Sequence, residues 1–234
     1  MNLQFHYLEI AERRIAYRRR TGAGPTILFL PGYASDMDGA KALALDAFAE
    51  RRGLAMLRLD YSGTGSSGGR FEDGTLAIWL EDALAALDRL TSGPLLVVGS
   101  SMGGWIALHL ALLRPERVQG LIGIAAAPDF TDWGFTAEQA AQLRDEGELT
   151  RAFWESGQQL LLLGGEIAID CPVRLIHGER DEEVPLDVAF RTMRSLRSGD
   201  VQLNVIKGGG HRLSQPHEID AILRTVANLL EPAP

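Results

Sequence analysis

The chain has 234 residues, 46% of them hydrophobic and 23% charged, a globular composition that excludes a disordered or fibrous protein. Acidic residues outnumber basic ones 31 to 23, and the formal charge of −8 makes nucleic acid and anionic membranes poor partners. The one cysteine, Cys171, excludes an intrachain disulfide and points to a reducing compartment, in the simplest case a cytoplasm.

The first ten residues alternate polar and apolar side chains and lack the apolar core of a signal peptide. No apolar run approaches the length of a membrane span, so the expectation is a protein that neither crosses a membrane nor is exported by the usual signal. Arg13, Arg14, Arg18, Arg19 and Arg20 alternate with Ile15 and Tyr17 in a half-exposed strand pattern. Glu9 and Glu12 nearby argue against a transit peptide.

Beyond this opening hairpin, strand-length apolar runs alternate with amphipathic helical stretches. Strands are predicted at 26–30, 54–61, 95–99, 121–125, 173–176 and 201–206, and helices at 40–52, 76–90, 103–113, 186–196 and 217–230. The alternation implies an α/β fold with a mostly parallel sheet, helices on both faces and a site beyond the carboxyl ends of the strands. The stretch 129–170 breaks the rhythm. It carries Trp133, Phe135, Phe153, Trp154 and the aliphatic block 160–163 around two helical patterns, and reads as a helical cap inserted into a single domain, 1–234.

Strand 26–30 runs into Pro31-Gly32-Tyr33, where Gly32 permits a close approach and Tyr33 can offer a backbone N–H to an oxyanion. After strand 54–61, Gly63-Thr64-Gly65-Ser66-Ser67-Gly68 matches G-x-G-x-x-G. Gly69 to Gly74 prolong the loop where a dinucleotide site needs a helix, so the segment is expected to shape the rim of the site instead. Strand 95–99 opens into Gly99-Ser100-Ser101-Met102-Gly103 and then a helix, the context of a G-x-S-x-G nucleophile elbow. A serine here could simply cap the helix. As a nucleophile, Ser101 needs a base and a carboxylate to hold that base, and Met102 would supply a second oxyanion N–H.

Of the histidines late enough in the chain, His217 falls inside the last helix, whereas His211 follows Gly208-Gly209-Gly210 on a flexible loop and is the better base. Asp181, just after strand 173–176, is the preferred acid, with Glu179, Glu182 and Glu183 competing. Gly32, Ser100 and Trp105 beside the elbow are candidates for contacting substrate. Trp133, Phe153 and Trp154 read either as core or as the lining of an acyl pocket. His109 reads as a structural histidine and Cys171 as buried and inert. The five histidines and one cysteine form no metal-binding motif, so neither metal nor cofactor is expected.

Leu30-Pro31-Gly32-Tyr33, Ser35-Asp36-Met37, Asp60-Tyr61-Ser62-Gly63, the run from Gly68 to Asp73, Gly99 to Trp105, and His177-Gly178 with Asp181 resemble the α/β-hydrolase superfamily. Within it they are similar to the abhydrolase-domain subgroup of mitochondrial acyl-glucuronide esterases and palmitoyl-protein thioesterases. The resemblance implies serine esterase or thioesterase chemistry through an acyl-enzyme, with Ser101, Asp181 and His211 as triad and Tyr33 and Met102 as oxyanion donors. It implies a small-molecule or acylated-protein substrate. Departing from that subgroup, this chain shows no mitochondrial leader, as expected of a bacterial-type cytoplasmic relative. An amidase, lactonase or carbon–carbon bond hydrolase could use the same triad, and a non-catalytic binding protein could keep the fold. The apolar insertion predicts a preference for medium or long acyl chains.

Overall fold

The computed structural model describes residues 4–147 and 149–230. Residues 1–3, 148 and 231–234, which fall in the predicted N-terminal stretch, insertion and domain, lie outside the described residues. The chain begins with β1 (His6–Ile10), β2 (Arg13–Arg20) and β3 (Ala23–Leu30), followed by α1 (Ala40–Arg52), β4 (Leu54–Leu59) and α2 (Leu76–Leu90). Next come β5 (Leu95–Ser100), α3 (Met102–Leu113) and β6 (Val118–Ile124), then three short helices, α4 (Phe130–Trp133), α5 (Ala137–Gln142) and α6 (Arg151–Gln158). β7 (Val173–Gly178), α7 (Leu186–Ser195), β8 (Val201–Ile206) and α8 (Pro216–Leu230) complete it.

The eight strands form one sheet in the order β1-β2-β4-β3-β5-β6-β7-β8. β1, β2 and β4 pair antiparallel, and every pairing from β4 through β3 to β8 is parallel. Alternation along the strands splits the core in two. Ile27 and Phe29 of β3 face α1 and α8, whereas Leu28 and Leu30 face α2 and α3. Each fully buried aliphatic or aromatic side chain in these layers contributes about 1.5–3 kcal/mol.

Local chemistry sets the helix ends. The α1 helix stops at Gly53, which takes the left-handed conformation (φ 65°) and returns its N–H to the carbonyls of Ala49 and Glu50. The α2 helix starts where the Thr75 hydroxyl accepts the Ile78 N–H. Both helices match their predicted bounds. The predicted strand 54–61 ends early, at Leu59, because Asp60 turns its carboxylate onto neighbouring loops. Strand 121–125 starts earlier, at Val118, through pairing with β5, and ends before Ala125, whose φ of 45° leaves the sheet.

The sheet order places the site. From β3 the chain moves to β4 on one side and then crosses to β5 on the other, so β3 and β5 are neighbours with Leu30 opposite Gly99. At this switch point the loops leaving two adjacent strands diverge and open a crevice. Residues 31–38 and the β5–α3 turn are therefore juxtaposed by topology.

Candidate active site

The turn from β5 to α3 is tight, and Ser101 holds the conformation that makes it so, with φ 53° and ψ −120°. A non-glycine residue in that region costs about 1–3 kcal/mol, which the surroundings must offset. They do so by close packing. A Cβ on Gly99 would collide with the carbonyl of Gly103, and one on Gly103 would collide with the carbonyls of Leu30 and Pro31, so both flanking glycines are required. The Ser101 N–H donates to the Ile124 carbonyl at 2.9 Å, and the Ser101 carbonyl accepts from Gly104 and Ala127. The Ser101 hydroxyl makes no capping bond to α3. It points outward to a histidine instead.

That histidine, His211, rides on the loop between β8 and α8. Gly208 (φ 72°) starts the turn, and Gly178 at the end of β7 leaves room for the loop to cross, since a Cβ there would strike the carbonyls of Gly209 and Gly210. Nε2 of His211 lies 3.0 Å from Ser101 Oγ, and Nδ1 lies 2.9 Å from Asp181 Oδ2. A carboxylate only accepts, so Nδ1 carries the proton and Nε2 is left to accept from the serine hydroxyl.

Asp181 follows β7, its side chain fully buried. Oδ1 accepts the backbone N–H groups of Glu183 (3.0 Å) and Val184 (2.8 Å), which fixes Oδ2 on the imidazole. Burial by itself would raise the Asp181 carboxyl. The hydrogen bond from His211, the two N–H groups and the electrostatic attraction of the imidazole outweigh it, and the group is held below its ordinary value. Of the competing acids, Glu183 is exposed and its Oε2 stands 3.7 Å from Nε2 on the serine side of the ring.

Tyr33 and Met102 flank the serine. Met102 is the first residue of α3, where N–H groups have no partner within the helix. Tyr33 lies in the loop after β3, and a Cβ at Gly32 would come within 3.2 Å of the Ser101 Cβ, so the two backbones nearly touch. The Tyr33 ring sits among Phe71, Trp79, Phe130 and Phe153, with centroids 5.0–6.3 Å away.

Two cavities share Tyr33, Ser101, Glu183 and His211 in their walls. The larger, about 580 Å³, is mixed in lining, with Asp36, Lys41 and Arg212 beside Phe29, Ala34 and Ala42, and is also bordered by Gly32, Ser35 and Ser100. The smaller, about 250 Å³, is mainly apolar, with Met102, Ala127, Phe130, Trp133, Phe135 and Val184. Gly32, Ser100 and Trp133 thus border a cavity, as a substrate contact must. Trp105, Phe153 and Trp154 do not. Trp105 is fully buried with Nε1 on the Leu160 carbonyl, Phe153 fills the aromatic cluster, and the Trp154 Nε1 is taken by the Thr131 carbonyl. Of the 160–163 block, Leu160, Leu162 and Leu163 pack against the core and Leu161 is exposed, while the Leu162 and Leu163 N–H groups bind the buried Asp129 carboxylate and close the insertion on itself.

Phe130 and Val184 carry no signal in the sequence, and Phe135 is legible there only as one of the aromatic residues of the insertion. Phe130 opens α4, a helix too short to show periodicity, and Val184 lies in an irregular loop. His109 is indeed structural, its Nε2 on the Leu160 carbonyl. The glycine-rich loop 63–68 does not form the rim of the site. Gly68 donates to the Arg14 carbonyl, and Gly63, Gly68 and Gly69 border a separate depression beside Arg13, Arg14 and Arg70.

Residues 25–155 match the alpha/beta hydrolase fold family. The human mitochondrial palmitoyl-protein thioesterase ABHD10 is 35% identical, over 93% of this chain and 76% of its own length. The chain belongs to the α/β-hydrolase family. Among solved structures, mouse alpha/beta hydrolase domain-containing protein 10 is similar with a TM-score of 0.91 and 35% identity, covering 97% of this chain and 98% of that one. Est1E from Butyrivibrio proteoclasticus, solved with ferulic acid bound, has a TM-score of 0.83 at 21% identity, over 95% and 96% of the two chains, and shares the fold alone. No helix among the described residues is long and apolar enough to cross a membrane.

Proposed function

We propose that this α/β-hydrolase cleaves carboxylic esters or thioesters by serine chemistry, with Ser101 as nucleophile, His211 as general base and Asp181 as the acid that orients it. The observation that carries the reading is the unbroken chain of contacts from Asp181 Oδ2 through His211 to Ser101 Oγ, 2.9 Å and 3.0 Å long, assembled from three loops far apart in sequence. In this scheme Oγ attacks the acyl carbonyl as Nε2 takes its proton, and the backbone N–H groups of Tyr33 and Met102 receive the oxyanion. The imidazolium, steadied by Asp181, returns the proton to the departing alcohol or thiol. Water then attacks the acyl-enzyme by the same steps in reverse, and the carboxylic acid leaves.

The smaller, aromatic-lined cavity takes the acyl chain and the larger, which carries Asp36, Lys41 and Arg212, takes the leaving group, because the two meet at Ser101. The segment 129–170 then serves as a cap within a single domain, its α4 supplying Phe130 and Trp133 to the acyl side. The name of the human relative supports acylated proteins as one substrate class, alongside small acyl esters and thioesters. The relatives are named as mitochondrial, whereas the lone Cys171 fits any reducing compartment, a cytoplasm in the simplest case.

A panel of p-nitrophenyl esters and acyl thioesters, run with wild type and Ser101→Ala, tests the reading. Turnover confined to wild type is expected, and equal turnover in the variant overturns it.

A further inference from the structure

We propose that Arg58, Asp60 and Tyr61, at the carboxyl end of β4, are positioning residues that hold both ends of the loop carrying Tyr33. The inference rests on the reading of Tyr33 as an oxyanion donor. At the near end, the Tyr61 hydroxyl donates to the Pro31 carbonyl at 3.3 Å. At the far end, one residue is gripped twice. The Met37 N–H donates to Asp60 Oδ1 at 2.7 Å, and the Met37 carbonyl accepts from Arg58 Nη1 at 2.7 Å. Arg58 is itself balanced by Asp38 and by Asp46, and the second oxygen of Asp60 accepts the Ser66 N–H at 2.8 Å.

Stability alone does not account for this arrangement. The three side chains are 1%, 2% and 0% exposed, and burying the two that carry charge, Arg58 and Asp60, is costly even with hydrogen-bond partners in place. Burial pushes the Asp60 carboxyl above its ordinary value despite the two N–H groups that favour the ionised form. What the arrangement secures is geometry. Residues 31 and 37 are tied to one rigid strand end, and the loop between them turns through Ala34 (φ 51°) with the Ser35 N–H on the Gly32 carbonyl. The Tyr33 amide is thereby set against the Ser101 turn, where a displacement of about 1 Å can cost on the order of a hundredfold in rate.

The test compares wild type, Asp60→Asn and Tyr61→Phe, with active sites counted by end-point labelling with a fluorophosphonate so that kcat refers to competent enzyme only. Asp60→Asn turns an amide NH2 toward one of the two N–H groups that the carboxylate accepts. Its kcat should fall roughly ten- to a hundredfold with KM within about twofold. Affinity for a boronic acid, whose adduct with the serine places an anionic oxygen in the oxyanion site, should fall in proportion to kcat/KM. Tyr61→Phe removes one oxygen and keeps the ring, so it remains informative if Asp60→Asn does not fold, and a smaller loss of the same kind is expected. Unchanged kcat per active site and unchanged boronate affinity in the folded variants overturn the proposal. A wild type that turns over and labels while these variants match it leaves the serine chemistry standing. A wild type that neither labels nor turns over removes the reading on which the proposal rests.

Discussion

Nε2 of His211 lies 3.0 Å from Oγ of Ser101, across 110 residues of sequence, and the Ser101 hydroxyl makes no capping bond to the helix that follows it. Groups that act as one unit are not additive when removed. Ser101→Ala and His211→Ala should each lower kcat by several orders of magnitude, and the double variant should be no worse than either single one. Steady-state kinetics on an activated ester, with folding checked by circular dichroism, measures this. Multiplying losses would show that the two side chains work separately.

Asp181 and Glu183 both approach the imidazole, on opposite nitrogens. Asp181→Asn should cost about ten thousandfold in kcat, because an amide holds the wrong tautomer, whereas Glu183→Gln should stay within about tenfold. Reversal of that order would assign the acid to Glu183.

The Asp181 carboxyl is held below its ordinary value, so its contribution to stability is full above the ordinary carboxylate range, about pH 3.9, and is lost as pH falls through the lowered value. Urea midpoints of wild type and Asp181→Asn should therefore differ by a constant amount from about pH 5 upward and converge in stronger acid. A gap that persists unchanged at low pH would contradict the hydrogen-bonded carboxylate.

Each methylene moved from water into the apolar cavity should add about 0.8 kcal/mol, roughly fourfold in kcat/KM, until the cavity of about 250 Å³ is filled. Rates across p-nitrophenyl acetate, butyrate, hexanoate and octanoate should rise accordingly. Trp133→Ala should flatten that rise while leaving acetate nearly unchanged. A flat wild-type profile would dissociate Trp133 and Phe130 from the acyl chain.

Burial pushes the Cys171 thiol up to about 11, so at pH 7 only on the order of one molecule in ten thousand carries the reactive thiolate. The folded protein should resist iodoacetamide and take up one adduct only after unfolding. Rapid alkylation of folded protein, seen by intact mass, would refute this. The residue is only partly buried, so the desolvated sulfur rather than complete enclosure accounts for the expected inertness.

Legibility in the sequence followed the range of the forces involved. Helix ends set by one residue, such as Gly53 and Thr75, could be read directly. So could the elbow, since the crowding that demands Gly99 and Gly103 arises from neighbours in the turn and the adjoining strand. The direction of aromatic side chains could not. Trp105, Phe153 and Trp154 are as large as the cavity residues, and only tertiary packing drew Trp105 and Phe153 into the core, tied the half-buried Trp154 to the Thr131 carbonyl and gave the wall to Phe130, Trp133 and Phe135. The hold of Asp60 on Met37, 23 residues away, has no local pattern at all. The loop 63–68 misled because its glycines serve a close approach to β2 and to the Asp60 carboxylate, contacts that a motif search does not distinguish from a ligand cradle.

Intact-mass analysis after exposure to a fluorophosphonate probe measures the activation of Ser101 most directly. One adduct per wild-type chain and none on folded Ser101→Ala is expected. A folded wild type that takes up no adduct, or a Ser101→Ala variant labelled as readily as wild type, would contradict serine catalysis at this site.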